Sequence, residues 1–269
     1  MSRRLTSSDV DVTILSMSTP TEPEPVWTFE VEGPDISAIV IEDDEPLDNL
    51  FSEKQQRLLT EPLYSSWSGP RGEDGQPRTF LATANVGVFA TAHDPPLVPD
   101  VLLAADVSVH PDAAREKKHQ TYFLWEIGKP PDVVVEIVSN AKGGELGRRK
   151  RGYEKMGVAH FVVWDPEKYL RERELMAYAI SPVGYIPMTN AEFARFPGLS
   201  LRPWEGAYEG LQARWLRWFE GDAPIPTGAE RAEAEHQRAE AEHQRAEAER
   251  QRADRLAALL AAHGLTEEL

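Results

Sequence analysis

The stretch Pro130–Asn140, PPDVVVEIVSN, decides how this chain folds. Val133–Val138 is an apolar run of strand length, interrupted only by Glu136. Such a run reads as a strand buried on both faces. An ionised carboxylate inside it costs several kcal/mol unless something pairs with it. Upstream, Leu97–Val109 (LVPDVLLAADVSV) sets Asp100 just ahead of a second apolar run. Two such carboxylates on successive strands point to a shared partner, and a divalent metal ion is the simplest one.

Working outward, Gly143–Gly144 mark a turn and GELGRRKRGYEKMG reads as a helix with a basic face. AHFVVWDP is a third core strand, and ELMAYAI with GYIPMT forms a hairpin around SPVG. On the N-terminal side, LDNLFSEKQQRLLTEPLYSSW reads as a helix. Asp48, Asn49 or Ser52 caps it, and Leu58, Leu59 and Leu63 share one face. TFLATANVGVFATAH reads as one or two strands with a bend at Gly87. Val101–Val109 is a strand, with Asp106 inside it on the face of Asp100, and YFLWEIGK is a further strand. In GLSLRPWEGAYEGLQARWLRWF, Trp204, Tyr208, Trp215 and Trp218 are packing anchors rather than a base-stacking platform. The expected architecture is an α/β core, a mixed central sheet flanked by helices.

Residues 1–25 are polar and rich in Pro and Glu, an acidic segment expected to be disordered. VWTFEVE and SAIVIED follow as strand-like pieces. The α/β domain spans 26–219 and GDAPIPTG lies in a linker, 220–229. The tail, 230–269, repeats RAEAEHQ, RAEAEHQ and RAEAERQ before RADRLAALLAAHG. A seven-residue period signals a coiled coil. Its best seam, His236, Ala239, His243, Ala246, Arg250, Ala253 and Ala257, is poor in apolar residues. The tail therefore reads as a solvated helix or a weak coiled coil, with homodimerisation as its partner expectation. His236 and His243 are generated by the repeat and read as surface residues.

The chain has no cysteine, which removes disulfides, thiolate zinc sites and a cysteine nucleophile together. No apolar run approaches the ~20 residues that span a bilayer, and the N-terminus lacks an apolar signal region. A cytoplasmic location without membrane contact is expected. The net charge is −16, an argument against nucleic acid. Its distribution weakens that argument. Residues 1–50 carry twelve acids against two arginines, a balance of −10, whereas Lys129–Lys155 carries seven basic residues against four acids, a balance of +3.

Asp100, Glu136 and the basic helix together suggest phosphodiester chemistry. A hard cation, Mg²⁺ or Mn²⁺, takes oxygen ligands and keeps several waters. Asp100, Glu136 and the Ile137 carbonyl supply part of that shell. A cation from Arg148, Arg149, Lys150 or Arg151 would orient the attacking water and offset the charge that develops at phosphorus.

The order LVPDV, PPDVVVEIVSN, GGELGRRKRGYEKMGV, FVVWDP resembles the Uma-type restriction endonuclease family of the PD-(D/E)XK nuclease superfamily. The resemblance runs from about Leu47 to Phe219. It implies a restriction-endonuclease-like fold, DNA as substrate, and Asp100 and Glu136 as metal ligands. Two departures stand out. The lysine two positions after the glutamate is Val138 here. The family's cation then comes from the following helix, four residues before the tyrosine that matches Tyr153, and that position is Arg149, with Lys150 beside it. Lysine can act as a tunable base whereas arginine stays protonated, so either Lys150 substitutes by turning inward, or Arg149 serves only as an electrostatic clamp, or activity is reduced. Glu145, eight before that tyrosine, fits a helix-start or outer role.

Plainer readings stand beside these. Asp100 after Pro99 caps a turn, and Glu136 pairs with Arg149 or Lys150 without a metal. Asp132 begins its strand with its side chain in solvent. Ser139 and Asn140 end that strand, Glu53 faces solvent, and Tyr153 and Asp165 are structural. On function, the rivals to a nuclease are a catalytically weak or inactive nuclease-fold binding or scaffold protein, and an oligomerising adaptor acting through its tail.

Overall fold

Helix α1 (Leu50–Ser65) starts at Asn49, whose side chain accepts the Ser52 amide at 3.0 Å. Leu58, Leu59 and Leu63 are buried on its inner face. The computed structural model describes residues 49–139, 144–170 and 173–262. The expectations for the segment 1–25, for VWTFEVE and SAIVIED, for Asp48, for Asn140 and for the Gly143 side of the turn lie outside those residues.

Strands β1 (Phe80–Ala84), β2 (Val88–Phe89), β3 (Val101–Ala105) and β4 (Tyr122–Phe123) precede a single helical turn, α2 (Leu124–Ile127). Strand β5 (Val133–Ile137), helix α3 (Gly144–Met156) and strand β6 (His160–Trp164) form the centre. The hairpin β7 (Leu175–Ser181) and β8 (Gly184–Pro187) comes next. It is followed by β9 (Ala191–Glu192), the long hairpin β10 (Leu199–Tyr208) and β11 (Leu211–Glu220), β12 (Ala223–Pro224), and helix α4 (Gly228–Ala262).

The central sheet has the order β1-β3-β5-β6-β7-β8. Only β5 and β6 run parallel, the crossover being α3, and every other pair is antiparallel. The sheet is therefore mixed. All five residues in each of β3, β5 and β6 are buried, because both faces are covered. On one face Val133, Val135, Val162 and Trp164 pack with α1 and with the second sheet, ordered β12-β11-β10-β9. On the other, Val134, Phe161 and Val163 pack with Tyr153 of α3. Trp215 and Trp218 are anchors as expected, and Trp218 Nε1 donates to the Leu59 carbonyl at 2.8 Å.

Several local expectations change. Strand β3 stops at Ala105 instead of Val109, because Asp106 takes a positive φ of 60° and turns out to pair with Arg78. YFLWEIGK contributes only the two residues of β4 before becoming α2. The 220–229 segment, expected as a linker, carries β12 and the first residues of α4. Helix α4 has no buried residue among those described. Its start is tied down: Gly228 N donates to Glu61 Oε1 at 3.0 Å, and Arg217 pairs with Glu230 at 2.7 Å.

Candidate active site

Strand register brings the two carboxylates together. Val101 pairs with Val135 and Leu102 with Val134 in an antiparallel ladder. Extending that ladder by one residue sets Asp100 opposite Glu136. Asp100 Oδ2 accepts the Ile137 amide. Its Oδ1 lies 3.5 Å from Gln56 Nε2 of α1, and Asn85 Nδ2 donates to Gln56 Oε1 at 2.9 Å. By strand alternation, Asp100 and Glu136 both face α3.

Helix α3 lies close to this corner. A Cβ at Gly152 would sit 2.5 Å from Leu97 Cδ1, so glycine lets the helix approach the segment leading to Asp100 without the Leu97 side chain turning aside. The approach delivers two side chains to Glu136, which is 3% exposed. Tyr153, four residues after Arg149 on the same helix face, donates its hydroxyl to Glu136 Oε1 at 2.7 Å. Arg149 pairs with Glu136 Oε2. Both carboxylate oxygens thus accept hydrogen bonds.

Burial and then the Asp100 charge push Glu136 up to about 8, against the lowering pull of Arg149 and Tyr153. Burial opposes the Arg149 charge as well, but the Glu136 carboxylate outweighs it and raises the guanidinium further. A further cation in this corner would pull Glu136 back toward its ionised form.

Lys150 goes elsewhere. Its ammonium lies 3.3 Å from the centre of the Tyr178 ring on β7. Glu136 is level with Val163, and Val163 with Met176. Tyr178 is two strands over and two residues along, so the ammonium is on the order of 10 Å from Glu136. Ile137 presents its amide to Asp100, and in an extended strand the carbonyl of a residue lies on the same side as its N–H. Arg148 and Arg151 are exposed on α3.

The donor set fits a hard divalent cation. Asp100, Glu136 and the Ile137 carbonyl are oxygen donors of the kind Mg²⁺ and Mn²⁺ take. Among the described residues, no group of three or more His, Cys, Asp or Glu could hold a metal ion. The rest of such a shell would be water and phosphate oxygen.

Asp132 corrects an expectation. It is buried, 4% exposed, rather than in solvent. Its Oδ2 accepts the Ala105 amide at 2.8 Å and pairs with Lys129, while Oδ1 meets Arg195 at 3.2 Å. Glu53 is exposed and pairs with Arg57. Asp165 is structural, accepting the Tyr169 and Leu170 amides at 2.9 Å. Tyr153, expected as structural, also touches Glu136 through its hydroxyl. Gln56 and Asn85 went unflagged in the sequence. Gln55 and Gln56 interrupt the apolar face of α1, a signal of buried polar contacts.

Residues 40–178, just over half of the chain, match the family model Uma2, described as "Putative restriction endonuclease". The chain belongs to that family, and its mixed α/β architecture is consistent with a restriction-endonuclease-like fold. The matched stretch contains Asp100, Glu136, α3 and Tyr153, and ends inside β7. A search of the curated proteins finds no match. Among the described residues, no helix is long and apolar enough to cross a membrane.

Proposed function

We propose that this protein is a metal-dependent endonuclease that hydrolyses DNA phosphodiester bonds. The observation that carries the reading is the cross-strand pair of Asp100 and Glu136, held on the face that receives the basic helix α3. Asp100, Glu136 and the Ile137 carbonyl would hold Mg²⁺ or Mn²⁺. Such an ion would supply Lewis-acid stabilisation of the phosphodiester and activation of water there. Tyr153 holds one oxygen of Glu136 and so orients the carboxylate. Arg149 neutralises the buried acid and, staying protonated, would stabilise charge on the phosphate rather than take a proton. Arg148 and Arg151 offer backbone-phosphate contacts. The test is cleavage of supercoiled plasmid with Mg²⁺ or Mn²⁺. Cleavage is expected, with its loss on chelation and in Glu136→Ala. A protein that cuts with neither metal sinks the proposal.

One observation favours a second reading, a nuclease-fold binding protein without catalysis. Glu136 already has a protein cation in Arg149, and Val138 occupies the usual lysine position. Calorimetric titration with Mn²⁺ separates the two readings. Binding that disappears in Asp100→Asn supports the nuclease, and absence of binding supports the scaffold.

A further inference from the structure

Gln55 and Gln56 are neighbours in α1 and both are buried, yet they meet different partners. A buried amide is costly unless it is hydrogen-bonded. Gln55 bonds the backbone: its Nε2 donates to the Leu216 carbonyl and its Oε1 accepts the Leu216 amide, each at 2.8 Å. Further along α1, the Tyr64 hydroxyl donates to the Ala82 carbonyl and accepts the Ala82 amide, each at 2.9 Å. These contacts tie α1 to β11 and β1 and so fix its rotation. Gln55 is thereby explained by the fold alone. Gln56, 5% exposed, is the side chain that this rotation delivers to the start of β3.

Gln56 meets side chains instead. Asn85 Nδ2 donates to its Oε1 at 2.9 Å, and its Nε2 approaches Asn85 Oδ1 at 3.4 Å, a reciprocal pair of amides. The same Nε2 lies 3.5 Å from Asp100 Oδ1. Turned over, the Gln56 amide would aim its oxygen at a carboxylate, which has no proton to donate when ionised. Asp100 and Asn85 together therefore decide which way the amide points. Asn85 is itself held to Asp100, because its backbone N–H donates to the Asp100 carbonyl at 3.3 Å. Its φ of 53° is left-handed, a conformation in which asparagine is enriched. The other oxygen of Asp100, Oδ2, accepts the Ile137 amide. The carboxylate thus faces one donor from β5 and one from α1.

We propose that Gln56 is a positioning residue for Asp100, oriented by Asn85, and that it holds the carboxylate beside Glu136 so that both acids meet one divalent cation. The proposal rests on the metal-dependent reading above and adds to it what keeps Asp100 in place. Gln56 is buried, so it acts through Asp100 and not on DNA. An outer partner of a metal ligand usually contributes 10- to 100-fold in affinity or activity, and the long 3.5 Å contact puts Gln56 at the lower end of that range.

The test is calorimetric titration of the full chain with Mn²⁺ in the absence of DNA, followed by plasmid-cleavage kinetics. Gln56→Met keeps the length of the side chain and removes the amide. It should weaken Mn²⁺ binding about 10-fold and lower kcat, with KM for DNA unchanged. Asn85→Gly suits the positive φ and removes the orienting amide from an exposed position. It should weaken Mn²⁺ binding about 3-fold, the worth of one modest hydrogen bond, and it carries the test alone if Gln56→Met does not fold. A purely structural Gln56 would lower the urea midpoint of Gln56→Met and leave Mn²⁺ affinity and kcat per folded molecule at parent values. That result, or unchanged Mn²⁺ affinity in Asn85→Gly, overturns the proposal while the nuclease reading stands. A parent chain that binds no Mn²⁺ overturns both, since no ligand then remains to be positioned.

Discussion

Asp100 and Asp132 begin in the same local frame: each follows a proline and leads into an apolar strand, β3 or β5. Their surroundings differ. Asp132 sits among the Ala105 amide, Lys129 and Arg195, a network that neutralises it. Asp100 accepts the Ile137 amide and stands across from another carboxylate, Glu136. One acid closes the end of a sheet. The other is set against a carboxylate that already has Arg149, and the two acids together favour a further cation. The difference teaches that a Pro-Asp-strand pattern marks a position, whereas the neighbour across the ladder decides its role.

The largest effect that tests this contrast is on cleavage. Asp100→Asn and Glu136→Ala should each reduce plasmid cutting by at least ~1,000-fold, since metal-assisted charge stabilisation contributes several kcal/mol. Asp100→Asn should leave the thermal midpoint nearly unchanged, whereas Glu136→Ala strips Arg149 and Tyr153 of their partner and should lower it, so cleavage is compared per folded molecule. If Asp100→Asn cuts like the parent, Asp100 is a turn cap and the contrast collapses. Asp132→Ala should do the reverse. It leaves the Ala105 amide unpaired and should cost about 2–3 kcal/mol in urea unfolding, a figure discounted because Lys129 and Arg195 are partly exposed. Cleavage per folded molecule should stay unchanged.

A smaller effect sharpens the Glu136 side. Tyr153→Phe removes the hydroxyl that holds Oε1 and should weaken Mn²⁺ binding about 10- to 100-fold, the usual cost of losing a ligand's outer partner. Calorimetry checks it, and unchanged affinity would return Tyr153 to a purely structural role.

The smallest effect lies at the Asp132 end. His160 Nδ1 donates to the Asp132 carbonyl at 3.1 Å. Burial holds its pKa below the ordinary imidazole value, against the upward pull of that carbonyl and of the Asp132 charge. As pH falls, the unfolded chain therefore takes up the proton first. Stability from this residue is full above about pH 6.5 and is lost as pH falls through that value toward the folded-state pKa. Urea midpoints at about pH 7.5 and about pH 5.5 should differ by less in His160→Gln than in the parent.

Much of the fold was legible. The apolar runs at Val101, Val133 and Phe161, the capped α1 and the basic α3 carry strong periodicity, and each forms the expected element. Short pieces failed where tertiary contacts override local pattern. YFLWEIGK has strand composition but continues as α2 after two residues, and the strand from Val101 ends where Asp106 turns to meet Arg78. At the site, Asp100 and Glu136 were visible as charges in apolar surroundings. Tyr153 was hidden because a tyrosine on the inner face of a helix looks like ordinary core. Gln56 and Asn85 were hidden because their partners come from elements far away in sequence.

By itself the sequence determined which residues are apolar enough to be buried strands, where α1 and α3 run, and that two acids are out of place among them. Only the tertiary structure decided what those acids meet. Register is a property of two strands together, and it set Asp100 opposite Glu136 while leaving Asp132 at the other end of the ladder. Helix rotation is likewise fixed by packing. It turned Arg149 and Tyr153 onto Glu136 of β5 and set Lys150 over Tyr178 of β7, because successive positions on a helix point about 100° apart.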